Sequence, residues 1–288
     1  MGDAAQGEPR THVVFERPFR VEPVYEYWKT PGNYREYPGG DKLPDKMKVW
    51  RIQNTGKDNG GVVARSWGFN DSPDAEVLTP GFNDGKENGA VGVGRHGNFL
   101  QWGFSAPPSQ MTEAGRRFFL NCVCYIHQFD GKGPLVRQIR NDRMQTVLLA
   151  LLVDKITDKN FLQSIFPSQL LKEYGRDPKG LAKYYQDNFE RIYWDRVYLV
   201  DVELGQLGIE SNRKVGSLQR IIALLRDRNT AVTARLLLER YTEESFKTPG
   251  EWHAWFTRNR ERIYFSDVGG YKFRVVPGGY PTSAKGAE

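Results

Sequence analysis

The chain has 288 residues, 39% of them hydrophobic and 26% charged, with a formal net charge of +6 and a pI of about 9.2. That balance excludes an unfolded chain and supports one large domain or two ordinary ones. No stretch approaches the ~20 apolar residues of a helical membrane span, and two cysteines cannot build a disulfide framework.

The charge is uneven. Residues 1–110 carry 13 Lys/Arg against 14 Asp/Glu, leaving 28 against 21 for residues 111–288. The basic excess therefore belongs to the second part. It carries no nucleic-acid motif, so a nucleic-acid partner is not expected.

In chain order, the polar opening MGDAAQGEPR lacks a signal-peptide core, and residues 1–11 are expected as a flexible leader. The compartment stays open between cytoplasmic and exported. Residues 11–15 (THVVF) and 47–53 (MKVWRIQ) read as strands between turn signals. Between them, Pro23, Pro31, Pro38 and Pro44 alternate with Tyr25, Tyr27, Trp28, Tyr34 and Tyr37. That is too much proline for a helix, so an ordered loop is expected. GFND occurs at 68–71 and 81–84, which suggests two similar turns.

Residues 91–102 read as a hairpin centred on His96 and Gly97, pairing Arg95 with Asn98, Val93 with Leu100 and Val91 with Trp102. Thr112 then caps a helix to about residue 128, with Phe118, Cys122, Tyr125 and Ile126 on one stripe. From residue 141 the pattern turns helical. Residues 143–156, 167–174 and 177–194 read as three helices, and 197–203 as a strand. Leu218, Ile221, Ile222 and Leu225 face Ala234, Leu237, Leu238 and Tyr241 in a helical hairpin. Thr248, Pro249 and Glu251 form a capping box that opens a helix carrying Trp252, Trp255 and Phe256. RIYFSD and YKFRVV close the chain as a hairpin, before an expected flexible tail at 277–288.

The fold class expected is mixed α/β. A strand-rich unit at 12–130 precedes a mainly helical unit at 141–276. AVGVGRHGNFLQWGF followed by MTEAGRRFFLNCVCYI, residues 90–126, resembles the last strands and helix of ThuA-like, glutamine-amidotransferase-like domains. No nucleophile elbow accompanies it, so the resemblance implies no catalytic residue. TPGEWHAWFTRNR after a helical hairpin, within residues 215–265, is similar to the segment that follows HEAT-type repeats. That resemblance implies packing and interaction.

Cys122, Cys124 and His127 spell C-x-C-x-x-H, but helical residues two apart point about 200° apart and cannot chelate together. No metal or other cofactor is expected. DGKENG from Asp84 lacks the calcium-loop carboxylates, with Lys86 and Arg95 at the required places. His96 has the pKa range of an acid–base catalyst, and Asp71, Asp74 or Glu76 are the carboxylates the fold would bring to it for a hydrolase. Arg213, Lys214, Arg220, Arg226, Arg228, Arg235 and Arg240 read as a solvated face, with polyanion binding as the alternative. The leading expectation is a non-catalytic protein that binds carbohydrate or protein. Its ligand-binding residues would be Tyr25, Trp28, Tyr34, Trp67, Arg95 and Asn98, because aromatic faces beside polar groups hold rings and peptides.

Overall fold

A computed structural model describes residues 1–7, 11–37, 39–56, 60–136 and 142–280. The chain divides into two compact units. One comprises residues 1–135 with the segment from 280 onward, and the other residues 136–279. Helices and antiparallel strands occur in both, giving a mixed α/β class.

The first unit runs β1 (Ala4–Gln6), β2 (Tyr25–Lys29), β3 (Lys46–Arg51), α1 (Ser66–Asp71), β4 (Ala75–Pro80), β5 (Val91–His96), β6 (Phe99–Trp102) and α2 (Glu113–Ile126). β3 lies between β1 and β2, and β5 between β4 and β6, all antiparallel. A bridge between Ala5 and Gly81 joins the two sheets. The core gathers Phe15, Trp50 and Phe118, with Trp102 packed against it. The Phe118 ring stacks on Phe15 at 4.9 Å and meets Trp50 edge-on at 5.5 Å. Such ring pairs add about 0.5–1.5 kcal/mol beyond their buried area.

Several expectations change here. The opening residues are structured: Ala4 and Ala5 are fully buried in β1, and small side chains let this strand sit against β3. The Asp3 carboxylate accepts from the Gln53 amide at 2.9 Å and from the backbone N–H groups of Thr55 and Gly56. Residues 8–10 lie outside the described residues. Val13–Phe15 form a 3-10 turn rather than a strand, because the His12 Nδ1 accepts from the Val14 N–H at 3.2 Å and bends the chain. The proline-rich stretch contains β2 between its prolines. The two GFND segments differ. The first ends α1, whereas in the second the Asn83 side chain accepts from the N–H groups of Gly85 and Lys86.

The hairpin pairs Arg95 with Leu100 and Val93 with Trp102, so its centre is Gly97 and Asn98. The slip is two residues and each side chain keeps its expected face. Gly97 has φ +57°, as a type II′ turn requires of its first central residue. On α2, Thr112 accepts from the Gly115 N–H, and a Cβ at Gly115 would overlap the Ile52 carbonyl oxygen. Gly115→Ala is therefore expected to lower unfolding stability by about 1–3 kcal/mol. An unchanged denaturant midpoint would show that the helix does not rest on the Ile52 backbone this closely.

The second unit runs α3 (Arg143–Ala150), α4 (Lys159–Ile165), α5 (Ser168–Tyr174), α6 (Pro178–Asp187), β7 (Ile192–Asp195), β8 (Val197–Val200), α7 (Val202–Gln206), α8 (Val215–Leu224), α9 (Ala231–Tyr241), α10 (Pro249–Asn259), β9 (Ile263–Ser266) and β10 (Lys272–Val275). Residues 177–194 are not one helix. α6 ends at Asp187 and Ile192–Asp195 turn into a hairpin with Val197–Val200. The expected strand at 197–203 is β8 followed by α7, with Asp201 capping the Leu204 N–H at 2.9 Å.

A short motif recurs in this unit. An N-cap before proline (Asp177-Pro178 and Thr248-Pro249), an asparagine (Asn188 and Asn259) and Glu-Arg-Ile-Tyr (190–193 and 261–264) stand at a constant offset of 71 residues. Their geometry matches too. Asn188 Nδ2 donates to the Tyr184 carbonyl at 2.8 Å, and Asn259 Nδ2 to the Trp255 carbonyl at 2.9 Å. Arg191 Nη2 donates to Asn188 Oδ1 at 2.6 Å, and Arg262 Nη2 to Asn259 Oδ1 at 2.5 Å. Each Asn thus satisfies a helix-terminal carbonyl, and its partner Arg holds the chain as it leaves the helix for a strand. Tyr193 of one copy and Phe265 of the other each pack against both hydrophobic clusters of the unit.

Candidate functional site

Adjacent residues of a strand point to opposite faces, so the expected catalytic set is divided. On β5, Arg95 pairs in register with Glu76 and His96 with Ala75. Glu76 and Arg95 share one face. There Arg95 Nε donates to Glu76 Oε1, the Tyr125 hydroxyl donates to the same oxygen at 2.5 Å, and His12 Nε2 lies 3.4 Å from Oε2. Arg95 is 1% exposed, and its guanidinium lies 3.8 Å from the centre of the Phe129 ring. Burial pushes the Glu76 carboxyl up, but the bonds from His12, Tyr125 and Arg95 outweigh it and hold the group at about 2. Burial and the bond to Glu76 push the Tyr125 hydroxyl well up.

His96 belongs to the other face, near Phe69 of α1. Its Nε2 lies 3.6 Å from Oδ1 of Asp74, which is fully buried. The fold thus brings His96 to one of the three expected carboxylates. Asp74 also accepts from the Ser72 hydroxyl and, through Oδ2, from the Leu135 N–H at 2.9 Å. Ser72 donates to the acid rather than to the imidazole. A nucleophile–base–acid relay needs the hydroxyl on the histidine, so this trio clamps residues 135 and 72 to the strand end. Asp71 is the half-buried last residue of α1.

Tyr34 is fully buried, its hydroxyl accepting from Gln6 Nε2 at 2.6 Å and from the Asn83 N–H at 3.0 Å. Burial pushes that hydroxyl up to about 12. Trp28 packs edge-on against Phe82 and donates to Glu26 at 2.8 Å. Tyr25 packs on the core under the Lys48 ammonium, 4.1 Å from its ring centre. Trp67 lies beneath Arg65, which also lies over Tyr37 and bonds Glu87 at 2.7 Å. Asn98 is half-buried in the hairpin turn, and Arg95 is held inside by Glu76. Polar neighbours in the fold occupy Tyr34 and Arg95, so neither presents a surface to a ligand. Cys122 faces the core and Cys124 faces solvent, while His127 Nδ1 pairs with Asp130 at 2.6 Å.

A different surface emerges on the same unit. Phe19, Leu120 and Val123 are each 46% exposed, and Asn121 draws their segments together. Its Nδ2 donates to the carbonyls of Val14 at 2.8 Å and Phe19 at 2.6 Å, and its Oδ1 accepts from the Phe19 N–H at 2.9 Å. The chain from Phe19 then runs beside α2, where Arg117 donates to the Arg20 carbonyl at 3.2 Å. Next comes a groove of about 360 Å³, with Val24 and Ala114 flanked by Glu22, Glu26, Arg51, Glu113 and Arg117. The groove's charges are mutually paired, Arg51 with Glu26 at 3.0 Å and Arg117 with Glu113 at 2.9 Å. The signal in the sequence was that FFLNCVCYI is apolar beyond one helical stripe. Leu120 and Val123 are the surplus once Phe118, Cys122 and Tyr125 face the core.

In the second unit the basic residues are partly neutralised. Arg213 pairs with Glu190, Arg240 bonds Asp201 at 2.6 Å and Glu203 at 3.1 Å, and Arg235 donates to the carbonyls of Phe246 and Lys247. No helix among the described residues is long and apolar enough to cross a membrane. No family model matches the chain, and no curated protein or solved structure is significantly similar to it.

Proposed function

We propose that this chain is a non-catalytic interaction protein whose first unit takes an apolar segment of another protein along Phe19, Leu120, Val123 and the adjoining groove. The observation that carries this reading is the exposure of three large apolar side chains on neighbouring segments, tied together by a buried asparagine. Exposed apolar side chains gathered on neighbouring segments suit an interaction surface. The groove's charges already neutralise one another, which favours an apolar anchor over a polyanion. Carbohydrate is the weaker choice, since packing within the unit occupies the rings of Tyr25, Trp28 and Tyr34. The resemblance of residues 215–265 to HEAT-type segments supports an interaction role for the chain as a whole.

The test is selection from a displayed peptide library against the full chain and against Leu120→Asp/Val123→Asp. Both positions are surface-exposed, so the double variant is expected to fold. Peptides with apolar anchors should be enriched on the wild type and lose binding by about tenfold or more on the variant. Equal binding to both proteins would remove this surface from consideration. A parallel screen of esters, glycosides and phosphate esters with wild type and His96→Ala addresses the hydrolase alternative. Turnover that disappears with His96 would replace the non-catalytic reading.

A further inference from the structure

The two copies within the second unit differ at one chemically telling atom. In the second copy, both terminal nitrogens of Arg262 are engaged: Nη2 donates to Asn259, and Nη1 donates to the Val276 carbonyl at 3.1 Å. In the first copy, Arg191 Nη2 makes the matching bond to Asn188. The backbone bond from the Asp201 N–H to the Arg191 carbonyl at 2.9 Å likewise matches that from the Val276 N–H to the Arg262 carbonyl at 2.9 Å. Yet Nη1 of Arg191 has no acceptor among the described residues. It projects over Gly205, where a Cβ would collide with it. This guanidinium lines a cavity of about 480 Å³ bounded by the end of α6, the turn before β7 and the segment from Gly205 to Glu210 after the start of α7. That volume is in the range of small-molecule sites.

The lining sets the ligand's charge. Asp187, Glu190 and Glu210 surround the same cavity. Asp187 is engaged by Lys183 at 2.8 Å, and Glu190 by Arg213 and by Ser211 at 2.7 Å. Glu210 is exposed and makes no ion pair or hydrogen bond among the described residues. With Asp187 and Glu190 paired, the groups left facing the cavity are one guanidinium N–H and one carboxylate, which match a ligand carrying a single carboxylate and a single cation rather than a phosphate or other multiply charged anion. Glu210 supplies an acceptor for a cation on the same ligand.

We infer that this cavity binds a small zwitterion of the amino-acid or short-peptide class, with its carboxylate on Arg191 Nη1 and its ammonium on Glu210. Gly205 leaves the guanidinium room to turn toward the ligand. Packing does not require the open nitrogen, because Arg262 does the same structural work in the second copy with that position filled.

The experiment is a titration of the full chain, followed by amide NMR, with glycine, triglycine, N-acetyltriglycine and triglycinamide. Saturable shifts of the Gly205 and Gly208 resonances are expected with triglycine. Blocking either end should weaken binding by about tenfold or more, the loss typical of one charged hydrogen bond. Glycine binding as well as triglycine would assign the site to free amino acids, and weaker glycine binding would assign it to peptides. Arg191→Gln should weaken triglycine by about tenfold, while Arg262→Gln in the second copy should leave it within about twofold. Glu210→Gln, on the exposed rim, keeps the test decisive if Arg191→Gln unfolds. It should weaken triglycine but not N-acetyltriglycine. Absence of saturable shifts with both glycine and triglycine, or capped and free peptides binding alike, would overturn the assignment.

Discussion

Arg143→Met is expected to cost about 3–5 kcal/mol of unfolding stability. Arg143 is 2% exposed. Its Nε and Nη2 each donate to the Asp267 carboxylate at 2.6 Å, Nη2 also reaches Asn212 Oδ1 at 3.0 Å, and Nη1 reaches the Phe189 carbonyl at 3.0 Å. The guanidinium thus joins the start of α3, the turn before β7, the segment before α8 and the end of β9. Removing it takes the counter-charge from the buried Asp267 carboxylate and a donor from the buried Asn212 amide and the half-buried Phe189 carbonyl. Asp267→Asn in the same chain removes the stranded charge, so the double variant should recover part of the loss. Guanidinium chloride unfolding of the three proteins measures both effects. A cost below about 1 kcal/mol for the single variant would place this pair with exposed ion pairs and refute its structural role.

Glu76 gives the second large effect, and it depends on pH. The folded carboxyl is held at about 2 against an ordinary value of 4.5. A depressed carboxyl contributes its full stability above the unfolded value, and that contribution fades as pH falls from about 4.5 toward 2. At about 1.4 kcal/mol per pH unit, the difference is roughly 3 kcal/mol at neutral pH. Glu76→Gln should therefore be less stable than wild type by that order at pH 7, and the two should converge near pH 2. Glu113→Gln is the comparison: Arg116 and Arg117 also hold the Glu113 carboxyl below its ordinary value, but the group is exposed on α2 and water screens the pairs, so its loss should change the acid limb far less than the loss of Glu76. Parallel stability–pH curves for wild type and Glu76→Gln would mean that the carboxylate is not what the His12, Tyr125 and Arg95 contacts stabilise.

Local chemistry was legible wherever it involved neighbours in the chain. The capping box at Thr248 and Glu251, the Thr112 cap, and the apolar stripes of α8 and α9 all follow from spacing within one or two helical turns. The β5–β6 hairpin was readable to its faces but not to its register, because a two-residue slip leaves the alternation intact and only the turn geometry at Gly97 separates the two pairings. The helix break after Asp187 was hidden, since Glu-Arg-Ile-Tyr-Trp carries no proline or glycine. Its one sequence sign was the same segment recurring 71 residues later, where Gly269 and Gly270 mark the hairpin openly.

The sequence by itself determined a folded chain, a strand-rich first part, a helical second part with the basic excess, and no helical membrane span. Tertiary structure alone decided which charged and aromatic groups meet. It sent Glu76 to Arg95, Tyr125 and His12 while leaving Asp74 for His96, and it buried the Tyr34 ring. The reason is separation along the chain: Glu76 and Tyr125 are 49 residues apart and Arg143 and Asp267 are 124. No local periodicity carries information about which distant group will satisfy a buried charge, because that choice is made when whole elements pack.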